Sequence, residues 1–293
     1  MAMIHGILKQ YWGYDSFRPM QEDIINSALQ KKDTLALMPT GGGKSICFQV
    51  PAMATDGLCL VVSPLIALTK DQVQNLNSKG IKALAVYSGM SYQQIDIALD
   101  NAIYGDFKFL YVSPERLHTP LFKERVRRMQ INYLVVDEAH CISQWGYDFR
   151  PAYLEIKEIK NIIGNVPVIA LTATATKSVA EDIMRILGFE EKNVISSGFE
   201  RANLSYVVRN VDDKFGNMLK VCNGVPGTGI IYVRERKRCE EISSFLRQNG
   251  ITADFYHAGL SKELRNAKQD AWILQSEFGR LNVPAWVDVW GQD

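Results

Sequence analysis

The run Met38-Pro39-Thr40-Gly41-Gly42-Gly43-Lys44-Ser45 constrains this chain more than any other. It follows an apolar stretch, Thr34-Leu35-Ala36-Leu37, and leads into Ile46-Cys47-Phe48-Gln49, an order that sets a glycine turn between a strand and a helix. Glycines let backbone N–H groups converge on an anion at a helix N-terminus; Lys44 adds a point charge suited to β- and γ-phosphates, and Ser45 a hydroxyl suited to Mg²⁺. The pattern G-x-x-x-x-G-K-[ST] is missed only at its first position, which is Met38. A purely structural glycine turn is the alternative. Gly-Lys-Ser after a buried strand favours a nucleoside triphosphate held by Thr40, Gly41, Gly42, Gly43, Lys44 and Ser45, which defines a binding site but no reaction.

Short β-rich runs then alternate with helical patterns. Strands are expected at 34–38, 58–62, 83–87, 108–112, 133–137 and 166–171, several of them apolar at nearly every position, as strands buried on both faces are. A helix is expected over 19–30 with Pro19 in its first turn, and another opened by Ser178-x-x-Glu181 and closed by Gly188. The alternation implies an α/β fold with a parallel, doubly wound sheet and its ligand at the carboxyl ends of the strands. A shorter unit follows, with strands at 205–209, 228–233 and 253–257 and a helix at 236–248 stopped by Gly250. Residues 274–293 show neither helical nor strand periodicity.

Composition sets limits. With 293 residues, 47% of them hydrophobic and 22% charged, the chain can hold two globular domains. Lys+Arg 33 against Asp+Glu 32 gives +1, so nucleic-acid binding would need a local patch. The five cysteines are an odd number without a C-x-x-C pair, which disfavours a disulfide framework and a zinc site and points to a reducing compartment. Cys47 and Cys141 read as structural. No apolar run approaches a membrane span of about 18 residues. The expected location is the cytoplasm, or the nucleus in a eukaryote.

Two further runs carry chemistry. Asn132-Tyr133-Leu134-Val135-Val136-Asp137-Glu138-Ala139-His140 is an apolar strand ending in adjacent carboxylates. Asp137 can hold Mg²⁺ through its water shell and Glu138 can polarise an attacking water, which with Lys44 gives the candidate catalytic set. The bland reading, two solvated acids capping a strand, loses ground beside a phosphate loop. Next comes Cys141-Ile142-Ser143-Gln144-Trp145-Gly146-Tyr147-Asp148-Phe149-Arg150-Pro151. Trp145 and Phe149 offer π-faces and Arg150 a phosphate or cation–π contact; base stacking is worth roughly 1–3 kcal/mol per base. Core packing is the alternative for both aromatics. The basic run 234–238 reads as a solvated helix start, and His257 is balanced between packing and contact.

Together with Phe17-Arg18-Pro19-Met20-Gln21, Ser63-Pro64-Leu65-Ile66-Ala67-Leu68, Ser113-Pro114-Glu115-Arg116, Thr172-Ala173-Thr174-Ala175 and Tyr256-His257-Ala258-Gly259-Leu260, these runs closely resemble the RecQ family of superfamily 2 helicases over about residues 4–273. The resemblance implies a RecA-like P-loop domain with a parallel sheet (1–208) and a partial second RecA-like domain (209–273). It implies ATP and Mg²⁺ as cofactors, with Gln21 reading the adenine and Tyr14 and Arg18 packing on its faces. It also implies DNA, single-stranded or at a single/double-strand junction, as the partner, 3′-to-5′ movement, and roles in repair and recombination. Trp145, Phe149 and Arg150 would be the DNA contacts, and 172–175 the coupling motif between lobes.

The chain also departs from the family pattern. Tyr147 stands where the family usually has histidine. The second lobe's Thr-x-Ala-Phe-Gly-Met-Gly and Gln-x-x-Gly-Arg-x-Gly-Arg segments do not occur, and 274–293 resembles nothing in the family, as a frameshift or read-through would produce. The chain thus reads as truncated within the second lobe and without its arginine finger, a loss worth about 10³–10⁵ in hydrolysis rate. ATP binding, weak DNA contact, little unwinding and an unfinished sheet edge are expected. The alternatives are an ATP-regulated DNA-binding module without motor activity, a P-loop kinase or transport ATPase, and an RNA helicase.

Overall fold

The computed structural model describes residues 2–146, 148–196, 204–225, 227–277 and 285–289. The chain divides into two compact units, Met1–Arg201 and Ala202–Asp293.

The first unit begins with α1 (Ala2–Trp12) and α2 (Gln21–Leu29), then alternates strand and helix: β1 (Thr34–Leu37), α3 (Lys44–Ala54), β2 (Leu58–Val62), α4 (Ile66–Ser78), β3 (Ala83–Val86), α5 (Tyr92–Tyr104) and β4 (Phe109–Val112). It continues with α6 (Pro120–Val126), β5 (Ile131–Val136), α7 (Glu155–Ile163), β6 (Val168–Thr172), α8 (Lys177–Leu187) and β7 (Val194–Ser196). The seven strands form one sheet in the order β3-β4-β2-β5-β6-β1-β7, with parallel pairing throughout. The six expected strands of this unit are all present, their ends shifted by a residue or two at most positions. Every residue of β1, β2, β4 and β6 is buried, which is why their sequences are apolar without alternation.

Alternation survives in where each side chain goes. Leu35, Leu60, Leu110 and Leu134 pack on one side with Leu99, Phe122, Ile156, Ile159 and Ile183 of α5 to α8. Ala36, Val61, Tyr111 and Val135 pack on the other with Ile24, Phe48 and Leu76 of α2 to α4. Because β6 alone separates β1 from β5, the turn after β1 and the acids after β5 emerge side by side at the carboxyl rim.

Two helix starts differ from expectation. Pro19 lies in the turn before α2 rather than in its first turn, because Met20 takes a left-handed conformation (φ 69°) that no helix accommodates. The cap of α8 is Thr176, whose hydroxyl accepts the Val179 N–H, and Ser178 sits inside the first turn. Gly188 ends α8 with φ 64°, a conformation open to glycine at little cost.

The opposite rim is fastened by one side chain that the sequence did not single out. Asp33 accepts the Val168 N–H at 2.7 Å with one oxygen and Lys160 Nζ at 2.9 Å with the other. Lys160 also donates to the carbonyls of Leu187 and Gly188 at 3.0 and 3.1 Å, closing the orphan end of α8. This ties β1, β6, α7 and α8 together.

The second unit contains α9 (Lys214–Gly224), β8 (Gly229–Val233), α10 (Arg236–Gln248), β9 (Ala253–Tyr256), α11 (Lys262–Glu277) and β10 (Ala285–Val289). Its small core joins Cys239, Ile242 and Leu246 of α10 to Phe215, Met218, Ile231 and Phe255. Two expectations are corrected here. Residues 205–209 are exposed and form no strand, since no sheet neighbour pairs with them among the described residues. Within the expected aberrant tail, residues 285–289 form β10, which pairs in parallel with both β8 and β9. β10 fills the place between β8 and β9, yet each of those strands pairs on one side only among the described residues, so open edges of the expected kind persist at β8 and β9, and β8 also exposes Ile230 and Tyr232. Residues 274–277 of that tail continue α11, another departure from expectation, and the remainder, 278–284 and 290–293, lies outside the described residues.

Replacing Asp33 by alanine leaves a backbone N–H and an ammonium without their shared acceptor and is expected to destabilise the first unit by about 2–3 kcal/mol. Asp33→Asn, which keeps one acceptor oxygen, loses less. Urea unfolding followed by circular dichroism measures both; equal stability of Asp33→Ala and the parent chain contradicts the assignment.

Candidate nucleotide and nucleic-acid site

The turn after β1 is shaped by its glycines. Gly41 and Gly43 have φ of 77° and 80°. A Cβ on Gly42 would come within 2.9 Å of the Pro39 carbonyl, and one on Gly43 within 2.4 Å of the Gln21 amide. α3 starts at Lys44, so its unpaired N–H groups face the turn. Gln21 accepts the Arg18 N–H at 2.9 Å and donates to the Gly43 carbonyl at 3.0 Å, while Arg18 donates to the Gly41 carbonyl at 2.7 Å. The adenine-segment candidates are thus fastened to the phosphate-loop candidates. Beside them lies a cavity of about 360 Å³ lined by Tyr14, Arg18, Gln21, Gly43, Ser45 and Gln49. Tyr14 is exposed at its mouth. A larger depression, about 720 Å³, lies at the opposite rim among Lys31, Lys160 and Lys192. It is the outer surface of the Asp33–Lys160 fastening, and its turn glycines, Gly164 and Gly188, end helices rather than start them.

At the end of β5 the acids sit against the same loop. Lys44 Nζ is 3.7 Å from Glu138 Oε1, both side chains being largely buried. Burial first, and the neighbouring Glu138 charge second, push the Asp137 carboxyl above its usual range, against the pull of Lys44. Asp137 is oriented by Ser63 Oγ at 3.2 Å, by the Glu138 N–H at 3.0 Å, and through its carbonyl by Tyr153 Oη at 2.8 Å. A divalent cation would relieve both penalties on Asp137, so this oxygen fits Mg²⁺. Glu138 is held in a left-handed backbone conformation (φ 47°), uncommon for a side chain of its size. Its hydrogen bond with His140, then the charge of Lys44, keep its carboxyl below the usual range and therefore ionised. His140 Nδ1 lies 3.4 Å from Glu138 and 2.9 Å from Thr172 Oγ1 at the end of β6.

The loop beyond carries Trp145, 79% exposed, whereas Phe149 and Arg150 are half-buried. Trp145 is therefore no core residue. Its backbone N–H donates to Ser143 Oγ at 3.2 Å, and that hydroxyl donates to Asp182 of α8 at 2.8 Å. Gly146 lies so close to the His140 carbonyl that a Cβ would approach to 2.6 Å. Arg150 donates to Asp148 at 3.0 Å and to the Pro64 carbonyl at 3.4 Å, tying the loop to the segment after β2. Tyr147 lies outside the described residues.

The structure thus brings Tyr14, Arg18, Gln21, the 40–45 turn, Asp137, Glu138 and the Trp145 loop to one rim of one sheet. His257 is 7% exposed and stacks on Phe255 at 5.7 Å, the packing alternative. Arg234, Arg236, Lys237 and Arg238 are exposed, as a solvated helix start requires. Burial pushes the Cys47 and Cys141 thiols up to about 12, so neither is an activated nucleophile. Tyr153 and Asp182 were missed because each acts by orienting another group and neither stands in a motif; Ser63 and Asp148 lie inside runs quoted above, but their orienting contacts are visible only in the fold.

A parallel sheet with a glycine turn opposite paired acids is the arrangement of P-loop motor domains. The DEAD/DEAH box helicase model matches residues 18–183, and the chain belongs to that family. It is 40% identical over 270 residues to the ATP-dependent DNA helicase RecQ of Pasteurella multocida, covering 91% of this chain and 42% of the relative. It is 39% identical over 280 residues to the ATP-dependent helicase SGS1 of Saccharomyces cerevisiae, covering 90% of this chain and 19% of the relative. The chain spans less than half the length of these relatives. In fold it is similar to the DUF1998 helicase MrfA bound to DNA and AMPPNP (TM-score 0.71, 16% identity, 98% of this chain and 44% of that one). It is likewise similar to the Mycobacterium smegmatis helicase Lhr bound to single-stranded DNA and AMP-PNP (TM-score 0.67, 18% identity, 98% and 41%). No helix among the described residues is long and apolar enough to cross a membrane.

The raised Asp137 carboxyl gives a stability signature. A folded pKa above the unfolded value adds stability below the unfolded pKa and loses it as pH rises through the folded one, so ionised Asp137 is a burden near neutral pH. Asp137→Asn is expected to raise the thermal unfolding midpoint of the ligand-free chain at pH 7. The gain should vanish at a pH below the usual carboxylate range, where the aspartate is neutral too. A lower midpoint at pH 7 contradicts this.

Proposed function

We propose that this chain binds Mg²⁺-ATP at the 40–45 turn and hydrolyses it in response to single-stranded DNA held by the Trp145 loop, as part of a RecQ-type DNA motor. The observation that carries the proposal is the juxtaposition of Lys44, the Asp137–Glu138 pair and an exposed tryptophan held a few residues further along the same loop. Bound Mg²⁺, with Ser45 and Asp137 as its candidate holders, would neutralise charge developing on the phosphates. Lys44 would offset the remaining γ-phosphate charge. Glu138, ionised at neutral pH, would orient the attacking water and accept its proton. Gln21 would read the base edge while Tyr14 and Arg18 flank it. On the DNA side, Trp145 and Phe149 would stack on bases and Arg150 would contact the backbone.

One set of contacts supports communication between the nucleotide side and the DNA side of this rim. Glu138, His140 and Thr172 form a continuous polar contact, and the Trp145 loop begins at His140. A base pulling on Trp145 would act through Ser143 and the loop on the residues that orient Glu138. The 293 residues contain neither the glycine-rich nor the arginine-bearing segment of a RecQ second lobe, which supports weak, finger-less hydrolysis and little strand separation by a chain of this sequence. The binding-module alternative shares every contact and differs only in turnover. Movement with 3′-to-5′ polarity rests on the resemblance alone.

The test is ATP hydrolysis with no nucleic acid, with single-stranded DNA and with single-stranded RNA. DNA should stimulate more than RNA, and Lys44→Ala should lower the stimulated rate at least about 100-fold. Equal rates in all three conditions leave the module, and preferential stimulation by RNA replaces the substrate. Duplex unwinding at the speed of a complete helicase overturns the prediction of impairment.

A further inference from the structure

Three potential metal donors meet where the acids hand over to the aromatic loop. Cys141 Sγ is 3.7 Å from His140 Nε2 and 3.6 Å from Asp148 Oδ2, and the three donor atoms lie within 4.8 Å of one another. We propose that His140, Cys141 and Asp148 form a regulatory site for a thiophilic divalent cation such as Zn²⁺, separate from the Mg²⁺ held with ATP.

Geometry carries the case. Bonds of about 2.3 Å to sulfur and about 2.0 Å to nitrogen or oxygen, set at the tetrahedral angle, span an edge of about 3.5 Å. Both sulfur distances match that edge with almost no movement. The imidazole is also correctly oriented. Glu138, an acceptor beside Nδ1 at 3.4 Å, fixes the proton on Nδ1, which also lies 2.9 Å from Thr172 Oγ1. That leaves Nε2, the nitrogen facing Cys141, as the ring's acceptor, and a carboxylate on the far nitrogen is the usual outer partner of a ligating histidine. His140 and Cys141 are buried, whereas the Asp148 side chain is 40% exposed, so a cation can enter from the loop side. Coordination releases the Cys141 thiol proton to solvent, and one thiolate and one carboxylate then balance the cation's charge. A fourth position stays open to water. The cysteine spacing gave no hint of this, because only one of the three donors is a cysteine and the third comes from the loop.

The site is built to compete with an existing contact. Asp148 Oδ2 is the oxygen that Arg150 holds, from Nε at 3.3 Å and Nη2 at 3.0 Å. Cation binding therefore opposes the Arg150–Asp148 pair and pins the start of the aromatic loop to its middle.

The experiment titrates the metal-free chain with Co²⁺ alone, without nucleotide or DNA, so its outcome does not depend on the proposed hydrolysis. One Co²⁺ per chain should bind with the intense absorption of tetrahedral coordination and a thiolate charge-transfer band. Cys141→Ser should remove that band, and Asp148→Asn should weaken binding at least about tenfold. Arg150→Gln, which frees the carboxylate, should tighten it. Cys239→Ser, in the second unit, should change nothing. Weak octahedral spectra, a thiolate band that survives Cys141→Ser, or weaker binding in Arg150→Gln overturns the proposal. Since Arg150→Gln is expected to gain affinity, misfolding cannot imitate the expected result.

Discussion

Two carboxylates at the mouth of a strand whose last four residues are buried repel each other and cost solvation, and the first unit is arranged to tolerate them. Lys44, at the start of α3, lies between the phosphate turn and Glu138. Ser63, the Glu138 amide and Tyr153 orient Asp137 without neutralising it. The pair is consequently divided by environment: Asp137 is pushed toward protonation and Glu138 away from it. Residues whose environments push their titrations apart are the ones with separate chemical tasks. Here the burdened carboxylate is the one a cation would relieve, and the ionised one is free to act as a base.

That arrangement depends on sheet order. β1 and β5 are far apart in sequence, and their loops meet only because β6 lies between them in the sheet. β6 contributes more than spacing: it ends at Thr172, whose hydroxyl meets His140. The segment that the resemblance marked as a coupling motif thus meets the candidate base Glu138 through His140, and the aromatic loop leaves from the same histidine.

Much of this was legible in the sequence because it is local. A strand buried on both faces is apolar throughout, a glycine turn before Lys-Ser has few uses, and adjacent acids after an apolar run are conspicuous. The parts that escaped are non-local. Asp33 fastens a rim through Val168 and Lys160, residues far along the chain with no motif of their own. The true cap of α8 was missed because Thr176 and Ser178 both suit the position, and only backbone geometry chooses. Residues 205–209 have strand-like composition but no neighbour to pair with, whereas β10, with little apparent periodicity, is stabilised by two waiting ladders. Strand formation there follows the partner rather than the propensity.

The account turns on whether the exposed tryptophan and the buried acids act as one device. The most direct measurement is the hydrolysis rate with and without single-stranded DNA in Trp145→Ala beside the parent chain, together with DNA affinity. Stimulation present in the parent and lost in Trp145→Ala, with binding weakened by roughly 1–3 kcal/mol, is the expected result. Stimulation that persists in full without Trp145 would contradict the coupling of loop to acids.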